Sequence, residues 1–76
     1  MKIRIKQYRL KRIPKILQDE LAEHINMKPA QISQMENGHY IPSLKVALSV
    51  AKSFSDLLGE RVHVDDLWII EKNDLK

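Results

Sequence analysis

The stretch that decides the fold is QDELAEHINMKPAQISQMENG, residues 18–38. Apolar residues recur through it at helical spacing. Near its middle, Asn26 stands where the chain must turn, because Asn adopts the left-handed backbone conformation more readily than most residues. Pro29 suits the first position of a second helix, and the closing glycine suits its left-handed end. The pattern predicts two short helices, over about 18–25 and 29–37, joined by a tight turn.

The second of these helices has an unusual outer face. At about 100° per residue, its small and amide-bearing residues point away from its apolar stripe. A solvent-facing helix normally carries lysine and glutamate, whereas this face is almost uncharged. Amide groups match the edge of adenine in the major groove, and a methyl group can contact thymine. The alternative is a helical hairpin whose uncharged polar face does not contact bases. The predicted base-reading residues, with Gln34 first, are Pro29, Ala30, Gln31, Ser33 and Gln34.

Positive charge is concentrated at one end of the chain. Residues 1–15 contain seven lysines and arginines and no acid, whereas residues 16–76 contain six basic and ten acidic residues. The net charge is +3 and the pI is about 9.3. A basic segment of this kind attracts phosphate. A solvated helix face is an equally weighted alternative.

Length and composition narrow the function classes. A chain of 76 residues permits one domain with a small core. It has no cysteine, and no apolar run long enough to span a membrane, so a cytoplasmic protein is expected. The three histidines lack metal-site spacing, the two glycines form no phosphate loop, and no nucleophile motif occurs. We therefore expect no metal, cofactor, small-molecule ligand or catalytic activity.

Three further helices are predicted around the central pair. Pro14 should end the first of them. Ser43 is a typical N-cap, and Gly59 ends the long apolar segment that follows. These helices are expected over residues 2–12, from Ser43 to Gly59, and over about 64–70. The prediction is thus an all-α bundle of five short helices, forming one domain over residues 1–70, with a polar and structureless tail at 71–76.

The central stretch resembles the phage repressor and Cro class of helix-turn-helix regulators, also called the Xre family. The likeness continues more weakly to residues 64–68. Leu17 and Lys28 depart from the family pattern, which usually has Ser or Thr caps there, and each missing cap costs about 1 kcal/mol. Asn26 replaces the usual turn glycine. The matching residues are Gln18, Glu20, Leu21, Ala22, Ile25, Met27, Ile32, Ser33, Glu36, Asn37, Gly38, Pro42 and Ser43.

The resemblance implies a lambda-repressor-like fold and a sequence-specific transcriptional regulator, most often a repressor. It implies a palindromic operator in double-stranded DNA, bound by a homodimer. It also implies an ion pair between Glu36 and a base of the first helix. Arg9 is preferred over Lys11 as the partner of Glu36. This choice places two extra residues, around Ile13-Pro14, in the turn that follows the first helix. The expected phosphate contacts are Gln18, Lys28, Asn37, Tyr40 and, more weakly, Lys45.

Trp68, Ile69 and Ile70 form an apolar run that is hard to bury in so small a monomer. Exposed apolar clusters commonly mark partner surfaces. We expect a dimer contact at these three residues, with core packing as an equally weighted alternative. The same run is the feature that would support a second function, an antitoxin or antirepressor that uses this fold to hold a protein partner.

Overall fold

Five helices and one pair of short strands make up residues 1–75, the part of the chain that the computed structural model describes. The prediction of an all-α domain of five short helices is confirmed, with the strand pair as an addition. In chain order the elements are β1 (Lys2–Ile3), α1 (Ile5–Arg9), α2 (Gln18–His24), α3 (Pro29–Glu36), α4 (Leu44–Leu58), α5 (Val64–Leu67), β2 (Trp68–Ile69) and a 3-10 turn (Lys72–Leu75).

The α2–α3 turn forms as the sequence predicts. Asn26 has a φ of 57°, the left-handed conformation expected of it. The Met27 N–H donates to the Ala22 carbonyl at 2.9 Å, which closes the turn onto α2. Gln31 supports the start of α3 by a different bond, because its side-chain oxygen accepts from the Lys28 N–H at 2.9 Å, the reciprocal half of a capping box. Neither Lys28 nor Leu17 supplies a side-chain cap to its helix, as predicted.

The core forms where four helices meet α4. Val50 and Phe54 of α4 are fully buried. Each of the other helices contributes fully buried apolar side chains to the same cluster, and Ile16 adds one from the loop before α2. Ser43 caps α4 by accepting from the Val46 N–H, and Gly59 ends it with a φ of 68°. Helices α2 and α5 pack directly on α4, and α3 packs on α2 and α1.

The predicted first helix, residues 2–12, is wrong at both ends. Lys2 and Ile3 pair in antiparallel register with Ile69 and Trp68, and helix α1 starts only at Ile5. Apolar and cationic residues alternate from Lys2 onward, a period of two that suits a strand. The helix stops at Arg9, because the Ile16 N–H donates to the Arg9 carbonyl at 2.9 Å and the chain turns away.

The predicted last helix, about 64–70, is also too long. Helix α5 ends at Leu67, because Trp68 adopts the extended backbone that pairs with β1. The expectation of a structureless tail is wrong for Lys72–Leu75, which form a 3-10 turn. Lys76 lies outside the described residues.

The loop over residues 10–17, which contains the extra Ile13-Pro14, is tied to α2 by an ion pair. The Arg12 guanidinium donates to both oxygens of Glu20, at 2.8 and 2.5 Å. This hydrogen bonding lowers the pKa of Glu20 below its ordinary value of 4.5. The folded protein therefore favours the charged carboxylate.

The substitution Glu20→Gln is expected to lower the melting temperature near neutral pH and to matter little in acid. A depressed folded-state pKa contributes stability above the ordinary value, and this contribution is lost as pH falls through the folded value. Thermal unfolding of both proteins from about pH 7 to about pH 2 should show the two curves converging. A difference that stays constant with pH would contradict this role of the pair. Glu60→Gln, at the more exposed Lys11–Glu60 pair, is the matched control.

Candidate nucleic-acid interface

The outer face of α3 is free of the core. Ile32 and Met35 anchor the helix, since both are fully buried. The five residues predicted to read bases lie on the other side: Pro29, Ala30, Gln31 and Gln34 are exposed and Ser33 is half-buried. The structure thus brings the whole predicted set onto one accessible surface of one anchored helix.

The two glutamines on this surface differ in their bonding. The amide oxygen of Gln31 is occupied by the backbone N–H of Lys28. The amide of Gln34 makes no side-chain hydrogen bond within residues 1–75. Both polar atoms of Gln34 are therefore available, which is the condition for a bidentate contact to adenine.

A buried ion pair fixes the far end of α3. Arg9 of α1 donates to the two carboxylate oxygens of Glu36 at 2.6 and 3.0 Å. It also donates to the Ile16 carbonyl at 3.0 Å. The side chains of Arg9 and Glu36 are only 8% and 7% exposed. Arg9 is thus the partner of Glu36, whereas Lys11 pairs with Glu60 and lies over the Tyr8 ring.

Gln18 belongs to the same network. Its side-chain nitrogen donates to Glu36 at 3.1 Å, a contact that the sequence prediction of a phosphate ligand did not include. An amide nitrogen carries two N–H groups, so this bond leaves one donor unused. The Glu36 carboxylate therefore sets which way the Gln18 amide faces. No local sequence signal indicates this contact, because Gln18 and Glu36 lie on different helices.

The remaining predicted phosphate ligands surround α3 on neighbouring segments. Lys28 and Asn37 are exposed at opposite ends of the helix. Tyr40 is half-buried against the core, in a loop that folds back onto α3 through its own N–H and that of His39, both bonded to the Gln34 carbonyl. Lys45 is exposed on α4, farther along the chain.

His39 was not singled out in the sequence. It is exposed beside Tyr40 and adds an imidazole to this edge of the interface. The sequence feature that could have identified His39 is its position directly after the Glu36-Asn37-Gly38 turn.

The expectation of an exposed apolar run at residues 68–70 is wrong for its first member. Trp68 is 8% exposed and packs in the monomer core. Ile69 is half-buried in the strand pair, and Ile70 alone of the three is strongly exposed, at 65%. The predicted dimer contact therefore loses its largest side chain.

Residues 1–75 hold no group of three or more His, Cys, Asp or Glu arranged around a possible metal position. None of their helices combines the length and apolar content that crossing a membrane requires.

Comparison with known proteins settles the family. A family model described as helix-turn-helix matches residues 5–55, which span α1 to most of α4. The chain belongs to the helix-turn-helix family. The resemblance to the Xre and Cro-like regulators is thereby confirmed.

Relatives of this helix-turn-helix protein cover from three quarters to nearly all of its length. A protein of Archaeoglobus fulgidus is 32% identical over 75 residues, 99% of this chain and 94% of that protein. One from Methanocaldococcus jannaschii is 32% identical over 97% of this chain and its own full length. The YgzD protein of Bacillus subtilis is 32% identical over 74% of this chain and 77% of its own. All three are described as uncharacterized HTH-type transcriptional regulators.

The substitution Glu36→Gln is expected to lower the free energy of unfolding by about 3–5 kcal/mol, because it leaves the Arg9 guanidinium buried without its counter-charge. Urea denaturation measures the loss. Arg9→Met combined with Glu36→Met should be less destabilising than Glu36→Gln alone, since no charge is then stranded. Wild-type stability in Glu36→Gln would contradict this account of the pair.

Proposed function

We propose that this protein is a transcriptional repressor that reads a specific operator by laying α3 in the major groove of double-stranded DNA. Family membership identifies the chain as a DNA-binding transcriptional regulator. The observation that carries the finer proposal is the outer face of α3, which is exposed, nearly uncharged and anchored from behind by Ile32 and Met35. A helix held this way presents amides to base edges without first having to become ordered.

In this mechanism Gln34 is the main base-reading residue, because both polar atoms of its amide are unused. Ala30 and Ser33 contact neighbouring bases, and Pro29 offers apolar contact at the tip of the helix. Gln31 reads mainly with its amide nitrogen, since one lone pair of its oxygen is engaged by the backbone N–H of Lys28. Direct readout of this kind discriminates between bases by about 1–3 kcal/mol for each good bidentate contact.

Phosphate contacts set the register of α3. Lys28 and Asn37 lie at the two ends of α3, and Tyr40 follows in the next loop. Gln18 contributes the amide N–H that Glu36 leaves free, so its phosphate contact is oriented by the buried ion pair. Lys45 lies at the margin of this surface. These contacts supply affinity without sequence information.

One α3 helix spans too few base pairs to select an operator from a genome. Two copies related by a twofold axis bind half-sites roughly 34 Å apart, one turn of DNA. A homodimer on a palindromic operator follows. Occupation of such a site at a promoter excludes the polymerase, which is sufficient for repression.

The second candidate function, an antitoxin or antirepressor, depends on an exposed apolar run at residues 68–70. Burial of Trp68 in the monomer removes most of that support. We therefore favour the operator-binding function.

Operator reading is tested with duplexes selected from a random pool. Gln34→Ala is expected to weaken binding to the selected duplex by about 1–3 kcal/mol and binding to random duplex far less. Fluorescence anisotropy titration measures both affinities. Gln7→Ala, an exposed glutamine on α1, is the matched control and should change neither. Equal losses on both duplexes from Gln34→Ala would reject base reading by this residue.

The substitution Lys28→Ala is expected to act on all sequences alike. Loss of one phosphate contact should reduce the slope of log affinity against log salt by about 0.9 per contact. Titrations of the selected and the random duplex over a range of salt concentrations measure this slope. Lys72→Ala, an exposed lysine on the C-terminal turn, should leave it unchanged. A loss confined to the selected duplex would mean that Lys28 reads sequence instead.

A further inference from the structure

Large apolar side chains are exposed in two separate places. Three of the eight in the described chain lie on the loop of residues 10–17, and the other five lie around the start of α4 and the ends of the strand pair. The second group, here called the α4 patch, comprises Met1, Ile41, Leu44, Leu48 and Ile70.

The α4 patch is continuous. A groove of about 210 Å³ is bordered by Met1, Ile41 and Leu44, with the Trp68 ring as part of its wall. Leu44 also borders a shallow depression that extends along α4 past Leu48. Pairing of Lys2 with Ile69 brings Met1 and Ile70 to the same end of the strand pair. The patch therefore runs from this end of the strand pair across the first turns of α4.

We propose that the α4 patch is the surface through which two copies of this chain associate, an inference that rests on the proposed function. Leu44 and Leu48 are 71% and 54% exposed, an unusual state for two leucines one helical turn apart. In a twofold contact each copy offers both the groove and the side chain that fills it. The groove of one copy binds the exposed Leu44 and Leu48 side chains of the other.

The position of the patch favours a second copy as the occupant. Ile41 directly follows Tyr40, in the loop whose backbone bonds to the Gln34 carbonyl of α3. With a twofold axis that passes through the patch and points towards the α3 face, both α3 helices lie on the same side of the dimer. The chain measures 38 × 24 × 20 Å, so the centres of two touching copies lie between about 20 and 38 Å apart. This distance is of the same order as the roughly 34 Å between half-sites.

The two exposed apolar groups differ in the charged residues around them. The side chains that line the groove of the α4 patch are uncharged, and the N-terminal ammonium of Met1 is paired with Asp74 and Glu71. Lys45 and Lys52 border the neighbouring depression, as expected for an apolar centre with a polar rim. In the loop of residues 10–17, Lys11, Arg12 and Lys15 alternate with the apolar side chains. Two copies meeting through that loop would place like charges together, which disfavours the contact.

The test is the molecular mass of the protein in solution and on the selected duplex, by sedimentation equilibrium. Wild type is expected to be a dimer. Leu44→Glu and Leu48→Glu should each be monomeric with unchanged circular dichroism, because both side chains are already exposed in the folded chain. Their melting temperatures should lose only the concentration-dependent contribution of the dimer. Ile13→Glu replaces a side chain that is 95% exposed on the other apolar group and should remain dimeric.

DNA binding gives a second readout. Leu48→Glu should bind the palindromic duplex about tenfold more weakly or worse, through loss of cooperativity. Its affinity for a duplex with a single half-site should equal that of wild type, since α3 is untouched.

Three results would overturn the interface. These are a wild type that is monomeric alone and on the duplex, a dimer that survives Leu44→Glu combined with Leu48→Glu, and a dimer lost in Ile13→Glu. Failure to select any duplex would instead overturn the proposed function, and the mass of the free protein would still decide the interface.

Discussion

The position of α3 depends on a carboxylate buried at its C-terminal end. Removing the charges of Arg9 and Glu36 from water is costly, and such a pair is tolerated only when its hydrogen bonds are satisfied. Here three bonds from the guanidinium and one from the Gln18 amide meet this condition. Since the donors come from α1 and the start of α2, one acidic side chain aligns three segments. The face that we propose binds DNA is thus set by a contact on the protein's inner side.

The long helix α4 divides its apolar residues between two tasks. Its inner stripe, centred on Val50 and Phe54, closes the core against the other helices. Its outer residues Leu44 and Leu48 are left in solvent. A single helix thus joins the interior that supports α3 to the surface that we assign to self-association. This division explains why the apolar arc of α4 is wider than the core alone requires.

The central helix pair could be predicted because its signals are local. Asn26, Pro29 and Gly38 each determine the backbone at their own position, whatever the rest of the chain does. The strand pair was missed because β1 and β2 have two residues each and come from opposite ends of the sequence. Burial of Trp68, which the sequence left as one of two equal alternatives, accompanies that pairing. The contact between Gln18 and Glu36 could not be predicted either, because helical periodicity does not indicate which side chains of different helices meet.

Gln31 occupies the first turn of α3, where its amide oxygen supports the helix start by accepting from the Lys28 N–H. The same side chain lies on the face that we propose contacts the nucleobases. Any replacement at this position alters the helix start together with the recognition surface. Divergence of operator preference is therefore freer at Gln34, which has no such second duty, and a change at position 31 is best accommodated when Lys28 is simultaneously exchanged for a capping residue.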